Sequence, residues 1–190
     1  MFYPEKEIKL KDGRTVVLRS ARPEDAEILI QYLKETAAET RFLLREPEEA
    51  ETMTVEQEIA FLRTSEEDPN SLMLLAFIDG EHAGNCSFSG YGKMRVRHCC
   101  DIAIALYQKF CNAGIGRVMM ETVMAAAKEK GFEQMELQVV NGNDRAKHLY
   151  ESLGFQTFGI RPHALKYKDG TYADETLMVK TPQSNSQKQR

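Results

Sequence analysis

Hydrophobic and polar positions alternate along this chain with two periods, and the change of period divides it into elements. "KEIKL" and "RTVVLRS" alternate at every second residue on either side of Asp12-Gly13, which is typical of two strands joined by a turn. Asp79-Gly80 and Asp169-Gly170 also stand between strand-like segments. Because Asp-Gly accepts the positive φ angles of tight turns, the pattern predicts three β-hairpins.

Two helices are predicted in the first third of the chain. Pro23 opens a run, "RPEDAEILIQYLKETAAE", with apolar residues at helical spacing and acidic residues in its first turn. Thr54 and Gln57 have the spacing of a capping box and predict the start of a second helix. The segment between them, "TRFLLREPEEAE", is acidic and poorly periodic, and is predicted to be an exposed connection.

The centre of the chain predicts a β-α-β unit. A strand from about His98 to Leu106 is nearly all apolar at its end, which predicts burial on both faces. A glycine turn, a long helix and the strand "QMELQVV" follow, so the two strands should be parallel and joined by a right-handed crossover. A short helix over "NDRAKHLYESLG" comes next. The fold class predicted is α/β (α+β), with a mixed, twisted sheet of six to seven strands, parallel at its centre, and about four helices.

Composition narrows the classes of function. The chain has 190 residues and 42% hydrophobic content, enough for one core. With 25 Lys+Arg against 29 Asp+Glu, the net charge of -4 lacks the basic excess of a nucleic-acid-binding protein. The start lacks the apolar core of a signal peptide, and no apolar run reaches the length of a membrane span. We therefore expect a cytoplasmic protein without nucleic-acid or membrane partners.

The cysteine pattern predicts no metal centre. The four cysteines are Cys86, Cys99, Cys100 and Cys111, and they follow no C-x-x-C spacing. Adjacent Cys99 and Cys100 would point to opposite faces of a strand, so they cannot share a metal ion. A reducing compartment is the simpler interpretation.

The glycine turn between strand and helix is the first candidate site. Gly114 permits backbone angles that other residues resist, Gly116 allows close approach to the first helical turn, and Arg117 supplies a positive charge. Free N–H groups at such a turn bind anions. The spacing fits neither the dinucleotide fingerprint nor the P-loop, and any strand-to-helix turn can use glycine, so phosphate binding and a plain turn both stay open.

The ordered set "IAL", "NAGIGR", "LQVV" and "NDRAKHLYESLGF" resembles the acetyl-CoA-binding half of the GNAT superfamily of N-acetyltransferases over about residues 98 to 160. The resemblance implies one GNAT-like domain over residues 1–180 with a CoA cleft between the central strands. The polar composition of residues 181–190 predicts a disordered tail. It further implies that the strand pairs with the pantetheine arm, that the turn holds the pyrophosphate, and that the short helix contacts the cofactor. The residues so implied are Ile104, Ala105, Leu106, Cys111, Asn112, Ala113, Gly114, Ile115, Gly116, Arg117, Asn143, Ala146 and Tyr150. Cys111 departs from the Gln or Arg that the family places there.

The same resemblance suggests catalytic roles. Tyr150 matches the tyrosine that protonates the departing CoA thiolate, although a buried aromatic that only packs the helix would look the same. Gln138 stands in the fifth strand where the ribosomal-protein N-terminal acetyltransferases carry a Glu that acts as a base, so the resemblance makes Asp101 in the preceding strand the candidate base. A hydrogen-bonded Asp at the strand edge with no catalytic role is the alternative for Asp101. Cys99 and Cys100 as acyl-accepting nucleophiles are disfavoured, because buried cysteine is normally a small apolar residue.

The implied reaction moves an acetyl group from acetyl-CoA, a co-substrate, to the primary amine of a small molecule or peptide by direct transfer in a ternary complex. Acidic "EPEEAE" and the long hairpin "RPHALKYKDGTYADE" are candidate acceptor segments. A catalytically inactive acyl-CoA-binding regulatory module is the alternative, and a plain nucleotide-binding domain is a third hypothesis. The sequence leaves monomer and homodimer both open.

Overall fold

Backbone pairing joins eight strands into one mixed sheet. The computed structural model describes residues 1–182; residues 183–190, which hold most of the predicted polar tail, lie outside the described residues. The spatial order is β1-β2-β3-β4-β5-β6-β8-β7, and only β5 and β6 are parallel. The strands are β1 (Lys6–Lys9), β2 (Thr15–Ser20), β3 (Ser71–Ile78), β4 (Glu81–Gly90), β5 (Cys99–Leu106), β6 (Gln134–Val140), β7 (Gln156–Lys166) and β8 (Tyr172–Lys180).

All three Asp-Gly pairs close hairpins, as predicted. They join β1 to β2, β3 to β4 and β7 to β8. The second is the tightest, because Ile78 pairs directly with Glu81 and both turn residues have positive φ, 51° at Asp79 and 80° at Gly80. The two terminal hairpins extend the sheet to eight strands, beyond the six or seven expected.

Five α-helices cover the two faces of the sheet: α1 (Ala26–Glu39), α2 (Pro47–Glu51), α3 (Val55–Glu67), α4 (Ile115–Glu129) and α5 (Asp144–Ser152). On one face α4 packs on the central strands, where Cys86 Sγ lies 3.8 Å from Met120 Sδ. On the other, α1 and α3 pack together over β3. Thr54 caps α3, and its Oγ1 accepts the N–H of Gln57 at 3.3 Å, which confirms the capping box.

The connection between α1 and α3 is predicted to be exposed, but the structure buries part of it. It contains the short helix α2, whose Ala50 is fully buried. Pro47 at the first helical position and a capping box between Glu46 and Glu49 start this helix. These local signals start the helix where the hydrophobic periodicity is weak, and Ala50 packs it into the interior.

The prediction that β5 is buried on both faces is wrong for its second half. Cys99, Cys100 and Ile102 are buried, but Ala103 is exposed and residues 104–106 are only half-buried. β5 pairs with β6 only over Cys99–Asp101, so its later residues lack a neighbour on that side. The apolar end of β5 therefore borders an opening between β5 and β6, although its sequence is typical of a buried strand.

None of the helices in the described part of the chain combines the length and apolar content that a membrane span needs.

A buried ion pair anchors α1 to the sheet. The Arg19 guanidinium donates to both carboxylate oxygens of Asp25 at 2.8 and 2.7 Å and stacks 4.6 Å from the ring centroid of Phe77. Asp25 also accepts the N–H of Arg22 at 2.8 Å. Burial alone would raise the pKa of Asp25, but the hydrogen bonds from Arg19 and Arg22 outweigh it and lower the pKa. The ionised carboxylate therefore stabilises the fold above the ordinary pKa of aspartate.

Replacing Asp25 with Ala should lower the free energy of unfolding by about 3–5 kcal/mol, because the Arg19 charge is left buried without its partner. Urea denaturation at neutral pH measures the loss. Glu24→Ala, an exposed neighbour, is the control and should change stability by no more than about 0.5 kcal/mol. In the wild type the stabilisation should be lost as pH falls through the lowered pKa of Asp25. A loss at Asp25 no larger than that of the control would contradict this role.

Candidate active site

The parting of β5 and β6 creates the central opening of the molecule. The two strands pair from Cys99–Asp101 with Gln134–Glu136 and no further. β5 remains paired with β4 as far as Leu106, and β6 remains paired with β8 as far as Val140. Each strand is thus held by its outer neighbour while the inner edges diverge. We call the space between them the β5–β6 gap.

Two residues of β5 direct their backbone groups into this gap. Tyr107 N–H donates to Ala83 O at 3.1 Å, so odd-numbered residues at this end face β4. Because backbone groups alternate along a strand, the N–H and C=O groups of Ile104 and Leu106 face the other way, where β6 has already diverged. An extended ligand could pair with them as a strand would.

The residue between them is tied to α1. Ala105 O accepts the hydroxyl of Tyr32 at 2.9 Å. Of the three residues predicted to meet a ligand arm, the structure therefore places Ile104 and Leu106 on the gap and Ala105 on the β4 side. The tie also fixes the position of α1 against β5.

The predicted glycine turn carries an unusually long run of free amides. Gly114 is the N-cap of α4 with a φ of 83°, and Asn112 also has a positive φ, of 64°. The N–H groups of residues 112–117 donate to no acceptor in residues 1–182. An ordinary helix start leaves four such groups, and this one leaves six in succession. The turn can therefore surround an anion with several donors.

Gly116 lies where α4 approaches β5 and α5. A Cβ placed there would stand 3.4 Å from Leu106 Cδ1 and from Leu149 Cδ2. By contrast, a Cβ at Gly114 would meet nothing within 4 Å. Glycine is therefore required at this position for the positive φ and not for lack of space.

Positive charge near the turn comes from α5 as well as α4. Arg117 is engaged along the helix surface, donating to Ser152 Oγ at 2.6 Å and lying 3.4 Å from Glu121. Burial raises the pKa of Cys111, and the positive charge of Arg145, in the first turn of α5, counteracts that rise. Sequence reasoning missed Arg145, although its place in the first turn of α5 was a usable signal.

The remaining members of the predicted cofactor set occupy the turn and α5. Ala113 is half-buried beside Gly114, and Ile115 is fully buried in the core. Asn143 is the N-cap of α5, where its Oδ1 accepts the N–H of Ala146 at 3.3 Å. Asn143 therefore caps α5 through its side-chain oxygen, and within residues 1–182 its side-chain Nδ2–H groups remain free to donate to a ligand.

Tyr150 lies almost wholly inside the protein, with 7% of its surface exposed. Its ring packs edge-on against Phe155, with centroids 6.2 Å apart. Its hydroxyl has no hydrogen-bond partner in the described residues and yet is not sealed from solvent. Burial raises the pKa of Tyr150, with a further contribution from nearby Cys86, so the phenol stays protonated at neutral pH.

Asp101 and Gln138 meet across the gap. Gln138 Nε2 donates to Asp101 Oδ1 at 3.1 Å. Burial raises the pKa of Asp101, and the negative charge of Glu136 raises it further against the effect of this hydrogen bond. Tyr91 donates to Glu136 at 3.2 Å, and its own pKa is raised to about 12, mainly by burial. Gln138, which cannot itself accept the proton, thus positions the candidate base Asp101.

Asp101 and Tyr150 belong to opposite faces of the sheet. Ile104 lies within 3.8 Å of the Cβ position of Gly116 on α4 and pairs with Cys86, which contacts α4. Tyr150 is on α5, whose Leu149 stands 3.4 Å from the Cβ position of Gly116, so it belongs to that same face. Asp101, three residues from Ile104, points to the face of α1 and α3. The gap connects the two.

The other reactive side chains are poorly placed for nucleophilic chemistry. Cys86, Cys99 and Cys100 are buried free thiols, and burial raises the pKa of Cys100 to about 12. Cys111 Sγ donates to Tyr107 O at 3.5 Å. Within residues 1–182, no three His, Cys, Asp or Glu side chains are arranged to hold a metal ion.

The two segments proposed to select the acceptor contact each other. Tyr167, in the β7–β8 turn, donates to Arg41 O at 2.9 Å, and the Arg41 guanidinium stacks 3.9 Å from its ring centroid. Lys168 pairs with Glu48 and lies 3.8 Å from Glu46. These carboxylates are therefore already matched by a cation of the chain. We call this contact the hairpin clasp.

Comparison with known proteins agrees with this architecture. Residues 27–155 match the model of the Acetyltransferase (GNAT) family. Among curated proteins, none matches the chain at a significant level.

Solved structures of similar fold are numerous. An acetyltransferase of the GNAT family from Streptococcus pneumoniae is 29% identical with a TM-score of 0.82, over 88% of this chain and 99% of that one. The yncA protein from Salmonella typhimurium, solved with its cofactor acetyl-CoA, is 18% identical with a TM-score of 0.76, over 87% and 93%. The ribosomal-protein-alanine N-acetyltransferase from Brucella melitensis is 21% identical with a TM-score of 0.76, over 87% and 99%.

Replacing Asp101 with Asn should leave the fold at least as stable as the wild type at neutral pH. The amide keeps an oxygen for Gln138 but cannot ionise. A carboxyl whose pKa is raised by folding weakens the fold as pH rises from its ordinary pKa through the raised value. Urea denaturation at neutral pH and at a pH below the ordinary pKa of aspartate tests this, and the variant should gain relative to the wild type only at the higher pH. A less stable variant at neutral pH would show that ionised Asp101 supports the fold.

Proposed function

Because this chain belongs to the GNAT acetyltransferase family, we propose that it transfers an acetyl group from acetyl-CoA to a primary amine by direct transfer in a ternary complex. Acetyl-CoA supplies the reactive thioester when bound. The observation that carries the proposal is the run of six free amides at residues 112–117, beside a strand edge that opens at Ile104 and Leu106. An anion and an extended polar arm are the two ligand parts that such a pair of sites fits.

The turn and the edge of β5 bind different parts of acetyl-CoA. The amides of residues 112–117 and the positive end of α4 bind the pyrophosphate, with Arg145 as the nearby positive charge. The backbone groups of Ile104 and Leu106 align the pantetheine arm as an added strand. Leu149 and Leu106 line the side of the gap next to Gly116. Together they direct the thioester toward Tyr150.

Asp101 and Tyr150 handle the two protons of the reaction. The amine gives up a proton as the new C–N bond forms, and Asp101 accepts it, directly or through water. The C–S bond breaks in the same reaction, and Tyr150 gives its phenolic proton to the departing thiolate. The raised pKa of Asp101 supports its role, because a stronger base accepts a proton more readily near neutral pH. The opposite faces of the two residues keep acid and base apart.

Direct transfer is favoured over an acyl-enzyme route. Cys100, beside Asp101, is buried and protonated at neutral pH, and Cys86 is likewise buried. A thiol attacks as its thiolate, so neither is an activated nucleophile. The buried free thiols also support a reducing compartment, and we place the enzyme in the cytoplasm on that ground.

Replacing Tyr150 with Phe should lower kcat by about 10²- to 10⁴-fold, the usual contribution of a positioned proton donor. Binding of acetyl-CoA should be largely retained, because the free amides of residues 112–117 and the open edge of β5, which carry the binding in this proposal, are unchanged. Thiol release with a panel of amines measures turnover, and calorimetry measures binding. Tyr172→Phe, on an exposed residue of β8, is the control. Unchanged turnover in the Tyr150 variant would remove the assigned role, whereas a wild type that binds acetyl-CoA but acetylates no amine would favour the inactive regulatory module.

Replacing Gly114 with Ala should weaken acetyl-CoA binding at least about tenfold, because it disturbs the left-handed turn that orients the free amides. Gly131, at the far end of α4, is a matched control: it has a φ of 92°, and a Cβ there would also meet nothing within 4 Å.

Both variants should lose about 1–2 kcal/mol of stability, the strain of a side chain at positive φ. Only Gly114→Ala should alter the dissociation constant measured by calorimetry. Equal binding by the two variants would rule out the turn as the pyrophosphate site.

A further inference from the structure

A pocket of about 400 Å³ lies between α1, α3 and the strands β3 and β4. Its walls are mostly apolar and come from four parts of the chain. They include Leu29, Leu33, Met53, Phe61 and Met73. The volume is in the range of small-molecule sites. The pocket lies on the Asp101 face of the sheet, opposite α4.

One carboxylate in this pocket has no partner. Glu58, on α3, is 4% exposed, and it makes no hydrogen bond or ion pair in residues 1–182; the positive charge of Arg45 at the rim acts on its carboxyl without forming an ion pair. Its oxygens are nevertheless not sealed inside the protein, since His82 Nδ1 is the one buried unpaired polar side-chain atom in the described chain. The carboxylate therefore borders the pocket. A charge that is buried without a partner is costly, so its place is explained best by a ligand that pairs with it.

The pocket extends toward the β5–β6 gap. Its floor includes Met73 on β3 and Asn85 on β4, and Asn85 pairs directly with Ala105 on β5. Glu58 lies on the helix that packs over β3, and within the sheet β3 is two strand spacings, or roughly 10 Å, from β5. One extended molecule can reach from Glu58 to the gap.

We propose that the acceptor is an aliphatic diamine, one of whose ammonium groups pairs with Glu58 while the other amine reaches the β5–β6 gap and is acetylated. This inference rests on the proposed function, since it names the substrate class of the same site. The apolar walls between the two ends hold the methylene chain.

The walls also predict what the pocket rejects. A charged nitrogen in the middle of the chain would face Leu33, Met53 and Met73 without a partner. Arg45, exposed at the rim with Nη1 3.2 Å from Met53 Sδ, adds a repulsive positive charge there. A monoamine of the same length would leave Glu58 unpaired. The pocket therefore selects an uninterrupted diamine over both.

Three amines of matched length test separately the need for a second amine and for an uninterrupted methylene chain. Eight-carbon α,ω-diaminooctane has the proposed form, spermidine replaces one chain carbon with a charged nitrogen, and octylamine lacks the second amine. The wild type should bind the diamine roughly 10- to 100-fold more tightly than either, the range of a hydrogen bond to a charged group. Calorimetry without acetyl-CoA measures binding, and thiol release with acetyl-CoA measures kcat/KM.

Glu58→Gln should reduce the preference for the diamine over octylamine to about one. Burial raises the pKa of Glu58, so the variant should melt no lower than the wild type at neutral pH. Glu67→Gln, at an exposed position of the same helix, is the matched control and should keep the preference.

The two readouts separate the two proposals. Turnover of amines without a preference that depends on Glu58 would overturn the diamine inference and leave the acetyltransferase standing. Diamine binding that depends on Glu58, with no turnover of any amine, would overturn the proposed function alone. Equal binding of diamine and octylamine by the wild type would also overturn the inference.

Discussion

The structure depends on a β-sheet that opens between its parallel strands β5 and β6. β5 and β6 share three paired positions and then diverge, while β4 and β8 hold their outer edges in place. Backbone N–H and C=O groups must be paired or solvated, so an open inner edge inside a sheet demands a partner. At one end the backbone N–H and C=O groups of Ile104 and Leu106 have no strand partner in the described residues, and the N–H groups of the following turn are also unpaired there. In the proposed function, the pantetheine arm and the pyrophosphate pair with these groups.

The opening also separates the chemistry into two environments. Tyr150 lies on the side of α4 and α5, where burial keeps its phenol protonated. Asp101 lies on the side of α1 and α3, held by Gln138 and close to the negative charge of Glu136. The gap thus places the two side chains in separate surroundings, one on each face of the sheet.

Local signals in the sequence predicted most of the fold, because they act over a few residues. The Asp-Gly turns, the Thr54 cap and the left-handed Gly114 all have causes within one turn of chain. The half-exposed end of β5 could not be predicted in this way, because its exposure depends on where another strand diverges. Apolar residues that line a ligand cleft look in sequence like apolar residues of a core.

The site was predictable where a motif is contiguous and obscure where it depends on tertiary contact. The turn over residues 112–117 could be located from its glycines. The pairing of Asp101 with Gln138 joins positions 37 residues apart, and neither side chain alone indicates the other. Glu58 falls in an acidic, amphipathic helix where one carboxylate looks like the next. Only the packing of α1 and α3 distinguishes it from its exposed neighbours.

The hairpin clasp joins segments 126 residues apart, since Tyr167 bonds to the backbone of Arg41. The β7–β8 turn and the connection after α1 are therefore not independent units of variation. An insertion in the β7–β8 turn would displace the connection after α1, and a shortened connection would release Tyr167 and Lys168. Divergence in this lineage should proceed by paired changes in the two loops, and grafting one loop alone from a relative would transfer its shape without its support.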